Sequence, residues 1–541
     1  MAYDMSRHWR LVLFVPFLTI MVGHGQTTLD LTIAGKKIHL TELQNIVAVR
    51  VVKESEAIAD NPLFSRAFDT IRAHSSSAGL LAIAKRPVSK GAMPSGTEVF
   101  TQTNQTQQVR VYGTGSSNID IALFPELIVQ FKEGIPDDAA RQRLKIYGAQ
   151  RADSTPVPGR YIVAMPQAES VVLATNNMAK NVPEVLYAEP NFYYIHRSAA
   201  APIKPLATPS ASGAVSTSLL ANQWTLATTP IDFGIVHVWN SFGTKGAGVK
   251  VAIVDDGVDL NHEDLKDGIS DFWDTTVPTP AGVSKQQPYS LQPNAYHGTA
   301  CAGIVAARST DGGTVGVAPE ATLIAIKAAN YSVAVNGQPQ WVDNTAALSD
   351  AIDKASAFDA DIISSSWGMP NASTDVIHAI DRSLNGTNQR RILIFAAGNR
   401  ERKDKNQSLT MDFPASLAAG KMGVIAVAAS SPCDEIKSYT SCDNQTDWSS
   451  KYLPKPTVLA PGTTMATTIP GNQYAYFSGT SAATPFVAGA VALLMSKEPS
   501  LTRSQIVQRL NQFSKQLTIG VGSLARVDAY CLSSGTVACG P

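Results

Sequence analysis

Ser481 lies in Phe477-Ser-Gly-Thr-Ser-Ala-Ala-Thr-Pro-Phe486, a small-residue turn that leads into an apolar helix expected over residues 486–495. A hydroxyl at a helix N-terminus sits beside backbone N–H groups that lack an intrahelical partner and carry the positive end of the helix dipole, so an oxyanion formed there is stabilised. Gly479 and Ala482 leave room for a second backbone to approach. A serine nucleophile needs a base, and His297 in Tyr296-His-Gly-Thr-Ala-Cys-Ala-Gly also heads a helix whose early positions are small. The base needs an orienting anion. Asp255 closes the run 249–255, which reads as a buried strand, and carboxyl ends of such strands are where α/β sheets place their chemistry. Asn399 ends the apolar run 392–399 and offers a side-chain N–H₂ to the same oxyanion. Singly, each residue has an ordinary structural explanation: a helix cap, a satisfied histidine, a common turn. Together, in the chain order Asp, His, Ser, they point to nucleophilic acyl transfer.

Val254-Asp-Asp-Gly257, His297-Gly-Thr299, Ala396-Ala-Gly-Asn399 and Gly479-Thr-Ser-Ala-Ala-Thr-Pro485 resemble the four signature blocks of the subtilisin-like serine endopeptidases, over residues 223–529. The Asp255-Asp256 pair, Ser366-Trp-Gly368 and Cys301 are more similar to the kexin and furin branch than to the bacterial subtilisins. The resemblance implies a three-layer α/β/α catalytic domain around a mostly parallel sheet. It also implies a triad of Asp255, His297 and Ser481, an oxyanion hole completed by Asn399, and protein or peptide substrates. Substrate contacts are implied for Asp256, Ser366, Trp367, Gly368 and Asp412, with Asp256 favouring basic residues and Asp412 near the base of the primary pocket. Asn294 and Asn371 stand where two further acids would deepen that preference. Asp264 and Asp311 match a calcium site of that branch, and Glu263 adds another oxygen donor of the kind calcium selects. A catalytically silent binding or inhibitory protein of the same fold is the alternative. A lipase or esterase is disfavoured, because the serine block lacks Gly-x-Ser-x-Gly.

The elements that must carry these groups occupy only the second half of the chain. Its 541 residues suffice for about three domains. Arg7 and Arg10 followed by the apolar run 11–23 read as a signal peptide over residues 1–25, since that run is shorter than the roughly 20 residues a spanning helix needs. Residues 26–117 form an extension to which no role is assigned. Residues 118–197 carry a strand-helix-strand-helix-strand pattern, a split β-α-β unit expected to be α+β and ferredoxin-like. Val185-Leu-Tyr-Ala-Glu-Pro-Asn191 there resembles the propeptide of the same family, which implies an intramolecular inhibitor and a zymogen. Residues 198–219, rich in Ala, Pro and Ser, read as an exposed linker holding the maturation cut, and residues 220–541 as the peptidase domain.

Lys and Arg total 44 and Asp and Glu total 44, so no net charge recommends nucleic acid or an anionic membrane as partner. A monomer without stable membrane insertion is expected, secreted, periplasmic or extracellular. Five cysteines agree with export: Cys433 with Cys442 and Cys531 with Cys539 are close enough in sequence to close small loops, and Cys301 reads as a small buried hydrophobe.

Overall fold

The computed structural model describes residues 28–33, 36–51, 81–85, 106–113, 119–196, 204–206, 219–226, 231–277, 283, 286–292, 294–333, 339–402, 408–519 and 522–536. The expected signal peptide, most of the linker and Cys539 lie outside them, as does much of the extension.

Four strands of the extension are described: β1 (Thr28–Ile33), β2 (Lys36–Val51), β3 (Leu81–Lys85) and β4 (Thr106–Gly113). The next segment runs β5 (Ile119–Phe131), α1 (Asp137–Ile146), β6 (Arg151–Ser154), β7 (Arg160–Ala164), α2 (Ala168–Asn181) and β8 (Val185–His196). Its strands lie in the order β8-β5-β7-β6 with antiparallel neighbours. Each helix therefore crosses between two parallel strands that have a third inserted between them, a split β-α-β arrangement made twice. Almost every side chain of β5 is buried, because α2 covers one face while two helices of the following domain lie against β8 on the other. The short β6 was not anticipated; it is polar and mostly exposed, so no hydrophobic alternation announces it.

Linker residues Lys204–Pro205 (β9) pair with a strand beside the nucleophile. The second large sheet holds β10 (Lys250–Asp255), β11 (Ile269–Asp274), β12 (Thr322–Lys327), β15 (Ile362–Ser365), β16 (Ile392–Ala396), β18 (Val424–Ser430), β20 (Val458–Pro461), β23 (Lys515–Ile519) and β24 (Gly522–Arg526). Their order is β11-β12-β10-β15-β16-β18-β20-β24-β23, parallel except for the last hairpin. The period-2 alternation of strands divides the core in two. Ala252, Val254, Leu393, Phe395 and Ala426 pack with α5 (Thr345–Ala357) and α6 (Thr374–Asn385). Val251, Ile253, Ile392, Ile394 and Ile425 pack with α4 (His297–Ala306) and α7 (Thr480–Lys497), after α3 (Ile235–Phe242). Strands buried on both faces read as continuous apolar runs, which is how they appear in the sequence. Helices α8 (Arg503–Gln512) and α9 (Ala529–Ser534) complete the chain.

The connections from β10 and β15 depart in opposite directions, so the carboxyl ends of these neighbours form the switch point at which α/β sheets bind ligands. Smaller pieces frame that edge: the hairpin β13 (Ala329–Val333) and β14 (Pro339–Asn344), the pair β17 (Asn399–Glu401) and β19 (Trp448–Ser450), and the hairpin β21 (Met465–Ile469) and β22 (Gln473–Phe477). β14 pairs with β8, so one sheet runs from the extension through the α+β segment into the peptidase region.

Candidate active site

Asp255 ends β10 and its Oδ1 lies 2.7 Å from His297 Nδ1. Close approach of α4 to the strand end requires Gly298, since a Cβ there would stand 2.2 Å from the Gly257 carbonyl oxygen. Both groups are almost wholly buried, the His297 side chain 5% and the Asp255 side chain 1% exposed, and Asp255 Oδ2 has no hydrogen-bond partner among the described residues. The Asp256 N–H also donates to Asp255 Oδ1, at 2.9 Å. Burial pulls the His297 pKa down, but Asp255 and then Cys301 outweigh it and hold the imidazole well above its ordinary value. Trp341 of β14 and Phe477 press edgewise on the ring, centroids 5.2 and 5.1 Å away.

Ser481 is the second residue of α7, and the turn before it depends on Gly479 at φ 127°, a conformation closed to ordinary side chains. The helix begins six residues before the start expected from sequence, and Pro485 lies inside it. Proline lacks the N–H that would have bonded to the Ser481 carbonyl four residues back. That carbonyl accepts instead from Ser366 Oγ at 2.9 Å and from the Cys301 thiol at 3.5 Å. Burial and Asp255 raise the Cys301 pKa to about 11, so it stays a protonated donor. Ser481 Oγ donates to the Ser366 carbonyl at 3.2 Å.

Asn399 Oδ1 accepts from the Thr480 N–H at 3.0 Å and the Thr480 hydroxyl at 3.1 Å. Both partners are donors there, which fixes the amide orientation and leaves Nδ2 on the Gly479 side, beside the start of α7. Asp255, His297, Ser481 and Asn399, from four separate elements, thus meet at one edge of the sheet.

Other expected site residues fall differently. Asp256 is fully buried and accepts from the backbone N–H groups of His297 and Gly298 at 3.1 and 2.6 Å, so it caps α4 and faces no substrate. Burial and Asp255 push its pKa up to about 7. The Trp367 side chain is turned into the core, where its indole N–H donates to the Val254 carbonyl at 3.1 Å; only its backbone remains for a substrate. Ser366 and Gly368 flank the nucleophile, and Asp412 lies against Gly368 and Gly398. Lys451 Nζ stands 2.7 Å from Asp412 Oδ1, a partner no local motif announced. Cys433 and Cys442 form a disulfide, Cys531 is disulfide-bonded, and Cys301 is free and buried.

Asp264 is a poor fit to calcium. Its Oδ1 accepts from the Thr310 N–H at 2.5 Å and its Oδ2 from the Tyr474 hydroxyl at 3.0 Å, while Asp311 is exposed on the adjoining turn. Proton donors occupy the positions a cation would take. Among the described residues the one group of three ligating side chains close enough to share an ion is Asp255, His297 and Cys301, which belongs to the site already described.

The α+β segment docks beside this edge. Arg160 binds both oxygens of Asp375 at 2.7 Å and Asp350 at 2.6 Å, and Tyr187 donates to Asp375 at 2.6 Å. Glu189 accepts from Ser373 Oγ and from the Thr374 and Asp375 N–H groups at 2.6, 2.8 and 3.1 Å, capping α6. Asn191 Oδ1 accepts from the Ala346 N–H at the start of α5 at 3.0 Å. Burial and Asp375 push the Glu189 pKa up to about 7.

A mostly parallel sheet of this order, with a serine at a helix N-terminus and a buried His–Asp pair where one of its strands ends, is the arrangement of the subtilisin-like serine peptidases. The subtilase family matches residues 246–526, and the fervidolysin N-terminal prodomain matches residues 125–191. Subtilisin E of Bacillus subtilis is 30% identical over 378 residues, 68% of this chain and 88% of the relative. The thermophilic serine proteinase of Bacillus sp. strain AK1 is 30% identical over 412 residues, 75% of this chain and 86% of the relative. Fervidolysin from Fervidobacterium pennivorans shares the fold at TM-score 0.52 and 19% identity, covering 76% of this chain and 61% of that structure. The chain belongs to the subtilase family and carries an N-terminal prodomain.

Proposed function

We propose that the protein is a secreted serine endopeptidase made as a zymogen. Ser481 Oγ swings from the Ser366 carbonyl toward His297 Nε2, gives up its proton there and attacks a peptide carbonyl carbon. The carbonyl oxygen becomes an oxyanion that accepts from Asn399 Nδ2 and the Ser481 N–H. Asp255 holds the Nδ1–H tautomer and stabilises the imidazolium. His297 then protonates the departing amine, and water hydrolyses the Ser481 ester by the same steps in reverse. The observation that carries this reading is the 2.7 Å Asp255–His297 contact beside a serine at a helix N-terminus.

Residues 118–197 act as the inhibitory propeptide, 198–219 contain the autocleavage site, 220–541 form the peptidase, and residues 1–25 direct export. The strand order β8-β5-β7-β6 supports a ferredoxin-like propeptide, and the two core faces support three layers in the catalytic domain. Asp256 and Cys301 keep the likeness to the kexin and furin branch, although Asp256 faces α4. The test is to express the full chain and its Ser481→Ala partner, then record intact masses and hydrolysis of a denatured protein with a serine-directed inhibitor. Processing and inhibitor-sensitive hydrolysis in the unaltered chain alone are expected; a folded, unprocessed and inert chain would overturn the reading in favour of a silent binding protein.

A further inference from the structure

The nucleophile is flanked by two backbone segments. One leaves β15 as Ser366-Trp-Gly368, with Ser366 bonded to Ser481 in both directions. The other leaves β16 as Ala397-Gly-Asn399 and carries the oxyanion donor. The stretch through Asp412 and Phe413 lies between them: the Asp412 N–H donates to the Ala397 carbonyl at 3.0 Å, and Met369 and Phe413 exchange hydrogen bonds of 2.7 and 3.1 Å. Both walls have glycine where they pass Asp412, for a Cβ on Gly398 would stand 2.0 Å from Asp412 Oδ2 and one on Gly368 2.7 Å from Asp412 Cβ. On the endopeptidase reading, a residue whose carbonyl is attacked by Ser481, with its oxygen toward Asn399, would send its side chain between these walls and toward Asp412. That residue is P1 of the substrate.

Asp412 does not meet P1 alone. The β17–β19 register pairs Asn399 with Ser450, and the Lys451 N–H donates to the Gly398 carbonyl at 2.9 Å, so Lys451 is carried by the strand that braces the oxyanion donor. Its chain crosses Gly398, whose added Cβ would be 3.1 Å from Lys451 Cδ, and its ammonium ends on Asp412 Oδ1 at 2.7 Å. The two side chains are 9% and 16% exposed, and among the described residues no other hydrogen-bond acceptor is in reach of the ammonium. Among the described residues, the imidazole of His196, at the end of β8, is the other titratable side chain acting on Asp412.

We infer that Lys451 is a specificity-determining residue: by neutralising Asp412 at the base of the P1 pocket it removes the basic preference that the acid alone would confer, and the mature enzyme favours uncharged P1 side chains. This rests on the endopeptidase reading above. A P1 lysine or arginine would have to displace a counter-ion already desolvated and in contact, while a P1 glutamate would meet Asp412; an uncharged side chain disturbs neither partner. Ion pairs held in such enclosed sites discriminate by the cost of what they exclude as much as by what they bind.

The test uses enzyme matured from the full chain and peptides identical except for Arg, Lys, Gln, Leu or Glu at P1, with kcat/KM measured for each. The Arg-to-Gln ratio is expected to stay below about tenfold in the unaltered enzyme and to rise on the order of 100-fold in Lys451→Met, mostly through KM. It should fall back in the Lys451→Met, Asp412→Asn pair. Asp412→Asn alone, which keeps the shape and frees the ammonium, is expected to raise the Glu-to-Gln ratio at least tenfold, and it serves if Lys451→Met fails to mature. A ratio measured within one preparation is indifferent to how much of it is folded. An unaltered enzyme already selective for Arg, or variants active on Gln peptides with unchanged ratios, would overturn the inference. Inertness of the unaltered enzyme toward every peptide and toward denatured protein would instead overturn the endopeptidase reading beneath it.

Discussion

Replacing Arg160 by Met should release much of the prodomain's grip. The guanidinium and the Asp375 carboxylate are both 0% exposed, so removing the cation leaves that carboxylate buried with the Tyr187 hydroxyl as its one remaining hydrogen-bond donor among the described residues. Asp350, with 33% of its side chain exposed, can turn to water and adds little. Breaking a buried ion pair from one side costs about 3–5 kcal/mol. At about 1.4 kcal/mol per tenfold, the inhibition constant should rise roughly 10²–10⁴-fold. The assay is titration of mature peptidase with residues 118–197 supplied as a separate chain, read by peptide hydrolysis. Asp375→Asn on the peptidase gives the companion arm, which leaves folding of the prodomain untouched. Combining both changes removes both charges, and the combined loss should be far smaller than the sum of the single ones. A single-variant effect below tenfold, or strictly additive losses, would refute the claim that this pair holds the interface.

The same titration should depend on pH through Glu189. Its carboxyl, ordinary value 4.5, is pushed up to about 7 in the docked state by burial and Asp375. Docking therefore favours the protonated acid: inhibition is strongest below the ordinary value and is lost as pH rises through about 7. Glu189→Gln should therefore flatten the profile. Asn399→Leu should lower kcat by about 10²–10³ with little change in KM, a magnitude taken from subtilisin, the worked case in this same family. Because proton donors surround Asp264, a chelator should leave Tm unmoved; a fall in Tm restored by calcium would place an ion there after all.

The positions of Asp255, His297, Ser481 and Asn399 in the fold were legible in the sequence because each stands near a strand end or helix start, and local patterns mark such places. The apolar runs ending at Asp255 and Asn399 became β10 and β16, each buried on both faces. What local pattern could not show is what pairs at long range. Lys451 reaches Asp412 across 39 positions, and the joining of β14 to β8 depends on a register that no single segment encodes. Asp256 and Trp367 were expected to face substrate, but motif likeness carries no direction: one carboxylate was drawn to unpaired N–H groups of α4, and one indole to a buried carbonyl. The late helix start expected after Pro485 failed for a related reason. Side chains from two other elements supply the hydrogen bonds that proline cannot.

The ladder between β8 and β14 separates two events that are easily treated as one. On the proposed reading a cut in the linker would sever one covalent bond, while the pairing of Ile195, Tyr194 and Tyr193 with Val342, Asp343 and Asn344 and the helix-capping contacts of Glu189 and Asn191 do not depend on that bond. Scission within one molecule proceeds at a rate that does not depend on concentration. Departure of the severed piece is a dissociation, reversible and favoured by dilution, until the freed piece is itself digested. Under that reading a population could be fully cut and still silent, and the first few molecules to lose their prodomain would set the timing for the rest by consuming what the others release.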